Sequence, residues 1–146
     1  MKYDRNHIHA ELVKAANRYA ALKSQFDTFS NLVIEQISQE NFPIKGVIAA
    51  QDLEEGFFQV HFAGRTYTFI FEAQVEEMGD ALDGRIVCEM DKYFDEEPHF
   101  IGEFKFNAQG ETDLQSPEND GDPILLTSDL DAIHLVLHNV YEGLLA

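Results

Sequence analysis

Apolar residues recur from Ile8 through Leu12, Ala15, Tyr19, Leu22, Phe26, Phe29 and Val33 in steps that alternate four and three, and the run closes at Ile37. That spacing is a heptad seam, a single apolar stripe along a helix. Neither Pro nor Gly interrupts it before Phe42-Pro43, so the pattern predicts one helix from about residue 4 to about residue 40, with Pro43 helping to end it. At 1.5 Å per residue such a helix runs roughly 50 Å, beyond the span of a compact domain of this length. Part of it should therefore project, and the expected cover for its stripe is the same helix of a second subunit, a homodimer. The alternative is a break near Ser24 or Asp27-Thr28, where either could cap a second helix.

After Pro43 the period falls to two. A hairpin over residues 57–72, turning at Gly64-Arg65, would pair Phe62 with Tyr67, Val60 with Phe69 and Phe58 with Phe71. These six share one face, while Gln59, His61, Thr66, Thr68 and Glu72 share the other, broken by Phe57 and Ile70. Further strands are expected at 45–50, 85–94, 99–106 and 111–114. Their inward residues are Ile86, Cys88, Met90 and Phe94, then Phe100, Phe104 and Phe106, with Phe94 opposite Phe100. Val75, Met78 and Leu82 stand at helical spacing and suggest a short helix over 73–82, against which Gly79 counts. Residues 115–123 read as an acidic loop. A closing helix at 127–145, capped by Thr127 or Ser128, presents Leu130, Ile133, Leu137, Val140, Tyr141 and Leu144 to the aromatic face. The expected class is α+β and one domain over 1–146. It comprises a long N-terminal helix within 1–42, an antiparallel five- or six-stranded sheet with one aromatic face within 44–114, and the C-terminal helix packed on that sheet.

Composition agrees with a folded chain: 45% of the 146 residues are hydrophobic, with 12 Phe and 5 Tyr, too apolar for disorder. No stretch approaches 18 uncharged apolar residues and no apolar h-region follows Met1, so a cytoplasmic protein without membrane contact is expected. Cys88 has no second cysteine to pair with, and its register with Ile86 and Met90 places it in the core.

Charge narrows the class of partner. Residues 1–23 carry five bases (Lys2, Arg5, Lys14, Arg18, Lys23) against Asp4 and Glu11, and the remainder carries five against 25 acids, which divides the net −17 into +3 and −20. Such a surface repels nucleic-acid phosphates and attracts cationic partners. The acids concentrate between Glu72 and Glu97. Glu76, Glu77, Asp80, Asp83, Asp95, Glu96 and Glu97 are the candidate contacts for a basic protein. The reading is a non-enzymatic binding module, such as an inhibitor or immunity-type protein, with no cofactor, no metal and no catalytic residue assigned. A dimeric chaperone for a secreted effector is the alternative within binding proteins.

An enzyme or ligand-binding alternative would draw on His61, Thr68, Glu89, Asp91 and Glu103 on the polar sheet face, where a carboxylate beside a histidine can move protons. It could also use His134 and His138, one helical turn apart and preceded by Asp131, as metal ligands; His7 and His9 would join them only if the termini converge. No glutamate follows His134, which excludes the H-E-x-x-H metalloprotease pattern. Glu118, Asp120, Asp122 and Asp129 approach calcium-loop spacing, but Pro123 stands where that loop needs glycine.

Overall fold

The computed structural model describes residues 4–75, 82–92, 97–115 and 121–146. Helix α1, Arg5–Ile37, is continuous, as the seam predicts. The Asp4 carboxylate caps it, accepting from the Asn6 and His7 amides at 3.0 and 3.2 Å. No break forms at Asp27-Thr28, because the Thr28 hydroxyl donates back to the Ser24 carbonyl within the helix (3.1 Å). The helix stops at Ile37, short of Pro43, and the chain leaves through a turn closed by Phe42 N–H to the Gln39 carbonyl.

The seam divides in two. Leu22, Phe26, Phe29, Val33 and Ile37 are buried, whereas Ile8 and Tyr19 are exposed and Leu12 is 65% exposed. The helix outruns the sheet it lies on, so its C-terminal half is buried there, while the first half touches the sheet at its end, through Arg18 on Leu82 and Asp83 and the Tyr19 ring on Phe71.

Among the described residues the sheet has seven strands, not five or six: β1 (Ile48–Asp52), β2 (Phe57–Phe62), β3 (Arg65–Val75), β4 (Leu82–Lys92), β5 (His99–Phe106), β6 (Glu111–Gln115) and β7 (Pro123–Leu125). They form a curled antiparallel meander in which each strand lies beside its predecessor. The added strand follows the acidic segment 115–123 and closes on β6 through Glu111 with Leu125 and Gln115 with Pro123.

Three further expectations are corrected by register. The β2–β3 turn is Ala63-Gly64, not Gly64-Arg65, with φ of 53° and 74°, the two left-handed residues of a type I′ turn. Phe62 therefore faces Arg65, Val60 faces Tyr67 and Phe58 faces Phe69. The shift is by two residues, an even number, so every side chain keeps its expected face. The hairpin of β3 and β4 runs out to Val75 opposite Leu82, so 73–75 and 82 are strand and not helix; 76–81 lie outside the described residues. Between β4 and β5 the pairing passes from Cys88 with Gly102 to Glu89 with Phe100, leaving Ile101 as the extra residue of a bulge. Phe100 thus pairs with Glu89, not with Phe94, which is itself outside the described residues, and Ile101 packs toward the core in its stead.

Helix α2, Asp129–Leu145, starts from Ser128 and lies beside the C-terminal half of α1 on the aromatic face, so both helices cover a face that the closing helix alone was expected to cover. Its buried side is rotated from the expected stripe: Ala132, Ile133, Leu135, Val136, Val140 and Gly143 are buried, while Leu130 and Tyr141 are exposed. The small residues explain the rotation. A Cβ on Gly143 would stand 2.3 Å from Tyr67 Cε1, so the bare glycine is where the Tyr67 ring fits, and its hydroxyl donates to the Val140 carbonyl at 3.0 Å.

Cys88 is buried in this core, as its register indicates. Burial first, then the charge of Glu89, pushes its thiol from 9.0 up to about 12. In the unfolded chain the thiol ionises near its ordinary value, while the folded protein holds the proton to about 12. Across that window the unfolded state binds fewer protons, so the contribution of Cys88 to stability is constant below about pH 9 and declines above it. Denaturation of wild type and Cys88→Ala from pH 8 to 11 should show wild type losing ground with rising pH; parallel curves would refute it. The thiol should also stay silent to a thiol reagent at pH 8 until denaturant is added.

Candidate functional site

The face of the sheet turned away from both helices is built in rows set by register. Phe57, Ile70 and Val87 stand side by side across β2, β3 and β4. The next row is Gln59, Thr68, Glu89 and, through the bulge, Phe100; the next is His61, Thr66 and Asp91. Polar neighbours satisfy one another: Gln59 Nε2 donates to Thr68 Oγ1 (3.2 Å), and His61 Nδ1 shares a hydrogen bond with Thr66 Oγ1 (3.0 Å).

Below the apolar row, Arg85 lies across from Glu72. Its Nε donates to Glu72 Oε2 at 3.0 Å, its Nη2 makes a second, close contact with the same oxygen, and Nη1 donates to Glu103 Oε2 at 2.9 Å. The hydrogen bond to Glu72 is the main reason the guanidinium pKa is raised further. One cation between two carboxylates leaves the trio at −1. Adding Glu89, Asp91 and Lys105 gives four carboxylates against two bases, a net of −2 around an apolar strip.

Phe100 is the exposed aromatic of this face, at 62% of its surface. A bulge advances one strand by a residue and reverses the side its next residues take, which is how an alternating pattern meant for the core turns Phe100 outward beside Glu89. Gly102 is the sequence signal that could have warned of it, since glycine inside a strand marks bulges and close approaches. A Cβ there would lie 2.9 Å from Asn139 Oδ1 on α2.

The docking acids expected from sequence fall differently. Asp83 is 15% exposed and is held by Arg18, whose Nη2 reaches Asp83 Oδ1 at 3.4 Å while Nε donates to the Leu82 carbonyl at 2.9 Å. Glu97 is exposed. Glu76, Glu77, Asp80, Asp95 and Glu96 lie outside the described residues. The basic bias of the first helix is thus partly spent inside the molecule, for Lys23 also bonds Asp27 and the Leu53 carbonyl, both at 2.6 Å.

Of the alternative constellations, Glu118 and Asp120 lie outside the described residues. His61 on β2 is two strands from Glu89 and Asp91 on β4, about 10 Å at strand spacing, too far for a direct histidine–carboxylate proton relay. On α2, Asp131 Oδ2 accepts from the Leu125 amide (3.3 Å), and His138 Nε2 lies 3.9 Å from Glu142 Oε1. Among the described residues no three His, Cys, Asp or Glu side chains are grouped to hold a metal ion. Pro123, in the calcium-loop position, belongs to β7. No helix among the described residues is long and apolar enough to cross a membrane. No family model, curated protein or solved structure matches the chain.

Proposed function

We propose that this is a non-enzymatic binding module whose outer sheet face docks on a basic protein surface, as an inhibitor or immunity-type protein would. The observation that carries the reading is Phe100, turned out by the bulge into a ring of carboxylates. An exposed aromatic supplies the apolar anchor, and Glu89 and Asp91 supply complementary charge for steering and register, Glu72 and Glu103 being engaged by Arg85. Glu97 is exposed, and Glu76, Glu77, Asp80, Asp95 and Glu96 flank the same strands in sequence; Asp83 is left out because Arg18 already engages it.

The test begins with capture of a basic partner on the tagged protein and then measures its affinity for variants. Phe100→Ala should weaken binding on the order of 30-fold, the effect of a central aromatic anchor. Glu89→Lys with Asp91→Lys should weaken it further and flatten its dependence on salt. Equal affinity of wild type and Phe100→Ala would defeat the reading.

A second copy is the partner favoured by α1, whose N-terminal half leaves Ile8, Leu12, Val13 and Tyr19 exposed along one helix. Pairing of these halves would bury the open part of the seam. Sedimentation should then show a dimer that Leu12→Glu converts to monomer, and a monomeric wild type at 100 μM protein, taken as roughly the upper limit of a useful affinity, would count against it.

A further inference from the structure

The cleft between α2 and the β6–β7 hairpin has no part in the docking face, which lies on the other side of the sheet. It encloses about 450 Å³ and is lined by Leu114, Gln115 and Ile124 from the hairpin side and by Asp131, His134, Leu135, His138 and Asn139 from the helix. That volume falls in the range of small-molecule sites, and so does the mixture of an apolar floor with a few convergent polar groups.

We infer that this cleft binds a small amphiphilic cation, an alkyl- or arylalkylammonium, with its apolar body on Leu114, Ile124 and Leu135 and its head group toward Asp131. The polarity of the lining decides the sign of the ligand. Asn139 is only 8% exposed, its Nδ2 is committed to the Leu135 carbonyl at 2.9 Å and its Oδ1 lies against Gly102, so the carboxylate of Asp131 is the group that sets the charge of the cleft. Asp131 spends one oxygen, Oδ2, on the Leu125 amide and has a second to offer. No Lys or Arg stands among the lining residues. An anion would be desolvated beside a carboxylate with no fixed cation to compensate it, whereas an ammonium meets the carboxylate of Asp131. His134 and His138 also line the cleft and are exposed, and its volume suits a ligand of about six to eight carbons with its head at Asp131.

The experiment is an amide-resolved NMR titration of the full chain at pH 7.5 in 150 mM salt, a concentration of roughly physiological screening that suppresses loose association with the acidic surface. The probes are hexylammonium, hexanoate and hexan-1-ol. Saturable binding of hexylammonium, with shifts centred on Leu114, Ile124, Leu135 and Asn139, at least tenfold tighter than hexanoate, is expected. Asp131→Asn keeps an acceptor for the Leu125 amide and should weaken hexylammonium about tenfold while leaving hexan-1-ol unchanged. Leu114→Ala, at a partly exposed strand position, should weaken both. Equal binding of hexanoate, non-saturating shifts spread over the exposed carboxylates, or an affinity unmoved by Asp131→Asn would each overturn the inference.

Discussion

Phe26→Ala is expected to cost about 3–5 kcal/mol of folding stability, the range for removing a large buried aromatic side chain. Phe26 is fully buried and, with Phe29, is a ring through which α1 engages the sheet. Its centroid lies 5.9 Å from Phe58, 5.5 Å from Phe71 and 6.4 Å from Phe29. Phe58 in turn stacks on its cross-strand partner Phe69 at 4.9 Å and 8°. The truncation therefore removes three aromatic contacts and leaves a cavity bordered by rings that are themselves pinned, so little of the space can collapse. A domain's whole stability is about 5–15 kcal/mol, so the variant should be partly unfolded near physiological temperature. Urea denaturation of Phe26→Ala beside Phe100→Ala makes the comparison. The second should stay within about 0.5 kcal/mol of wild type, because its ring is in solvent. A loss below about 1 kcal/mol for Phe26→Ala would mean that α1 is not seated as described.

Gly143→Ala is expected to destabilise by about 2 kcal/mol, although alanine is the better helix former by about 1 kcal/mol. Two effects oppose each other. Propensity favours the change, but the new Cβ would stand 2.3 Å from Tyr67 Cε1, 2.8 Å from its hydroxyl and 3.0 Å from Met90 Sδ. Tyr67 and Met90 are fully buried and have nowhere to move. Overpacking of this kind costs about 1–3 kcal/mol, and a Tyr67 ring pushed aside also loses its bond to the Val140 carbonyl, a buried hydrogen bond with about 1–3 kcal/mol at stake. Sterics therefore win. In a Tyr67→Leu background the same substitution should cost less than half as much. Thermal melts of the four proteins check this, and an equal cost in both backgrounds would show that the Tyr67 contact is not the cause.

The parts of the fold legible in the chain are those governed by local period. The α1 seam and the alternation of Phe58, Val60, Tyr67 and Phe69 each report a face, and a face survives an error of two residues in register, as the β2–β3 hairpin illustrates. Its turn was misplaced because Ala63 adopts the left-handed conformation, which composition assigns to glycine or asparagine. Segment 73–82 was misread because Val75 and Leu82 at helical spacing are also compatible with two strand ends, and only the partner across the ladder decides between them. The α2 stripe was rotated because hydrophobicity ranks Leu130 and Tyr141 above Ala132 and Gly143, whereas a helix on a surface of rings is placed by where its side chains are smallest.

For the candidate site the division is sharper. Acidity and the polar character of the outer strands were readable, but the aromatic at their centre was not. Phe100 alternates correctly with Phe104 and Phe106 for a place in the core, and the bulge beside Gly102 overrides that pattern. Asp83 shows the converse, a carboxylate that belongs to an acidic run in sequence and to Arg18 in space, 65 residues apart.

The sequence by itself determined the α+β class, the helical seam of the first element, the aromatic face and the acidic balance, because each follows from periodicity or composition that neighbouring residues carry together. Only the tertiary structure decided the seventh strand, the seating of half of α1 on the sheet, the outward turn of Phe100 and the cleft over Leu135. Each of those depends on a contact between residues distant in the chain, where shape and register, and not local preference, set the lower free energy.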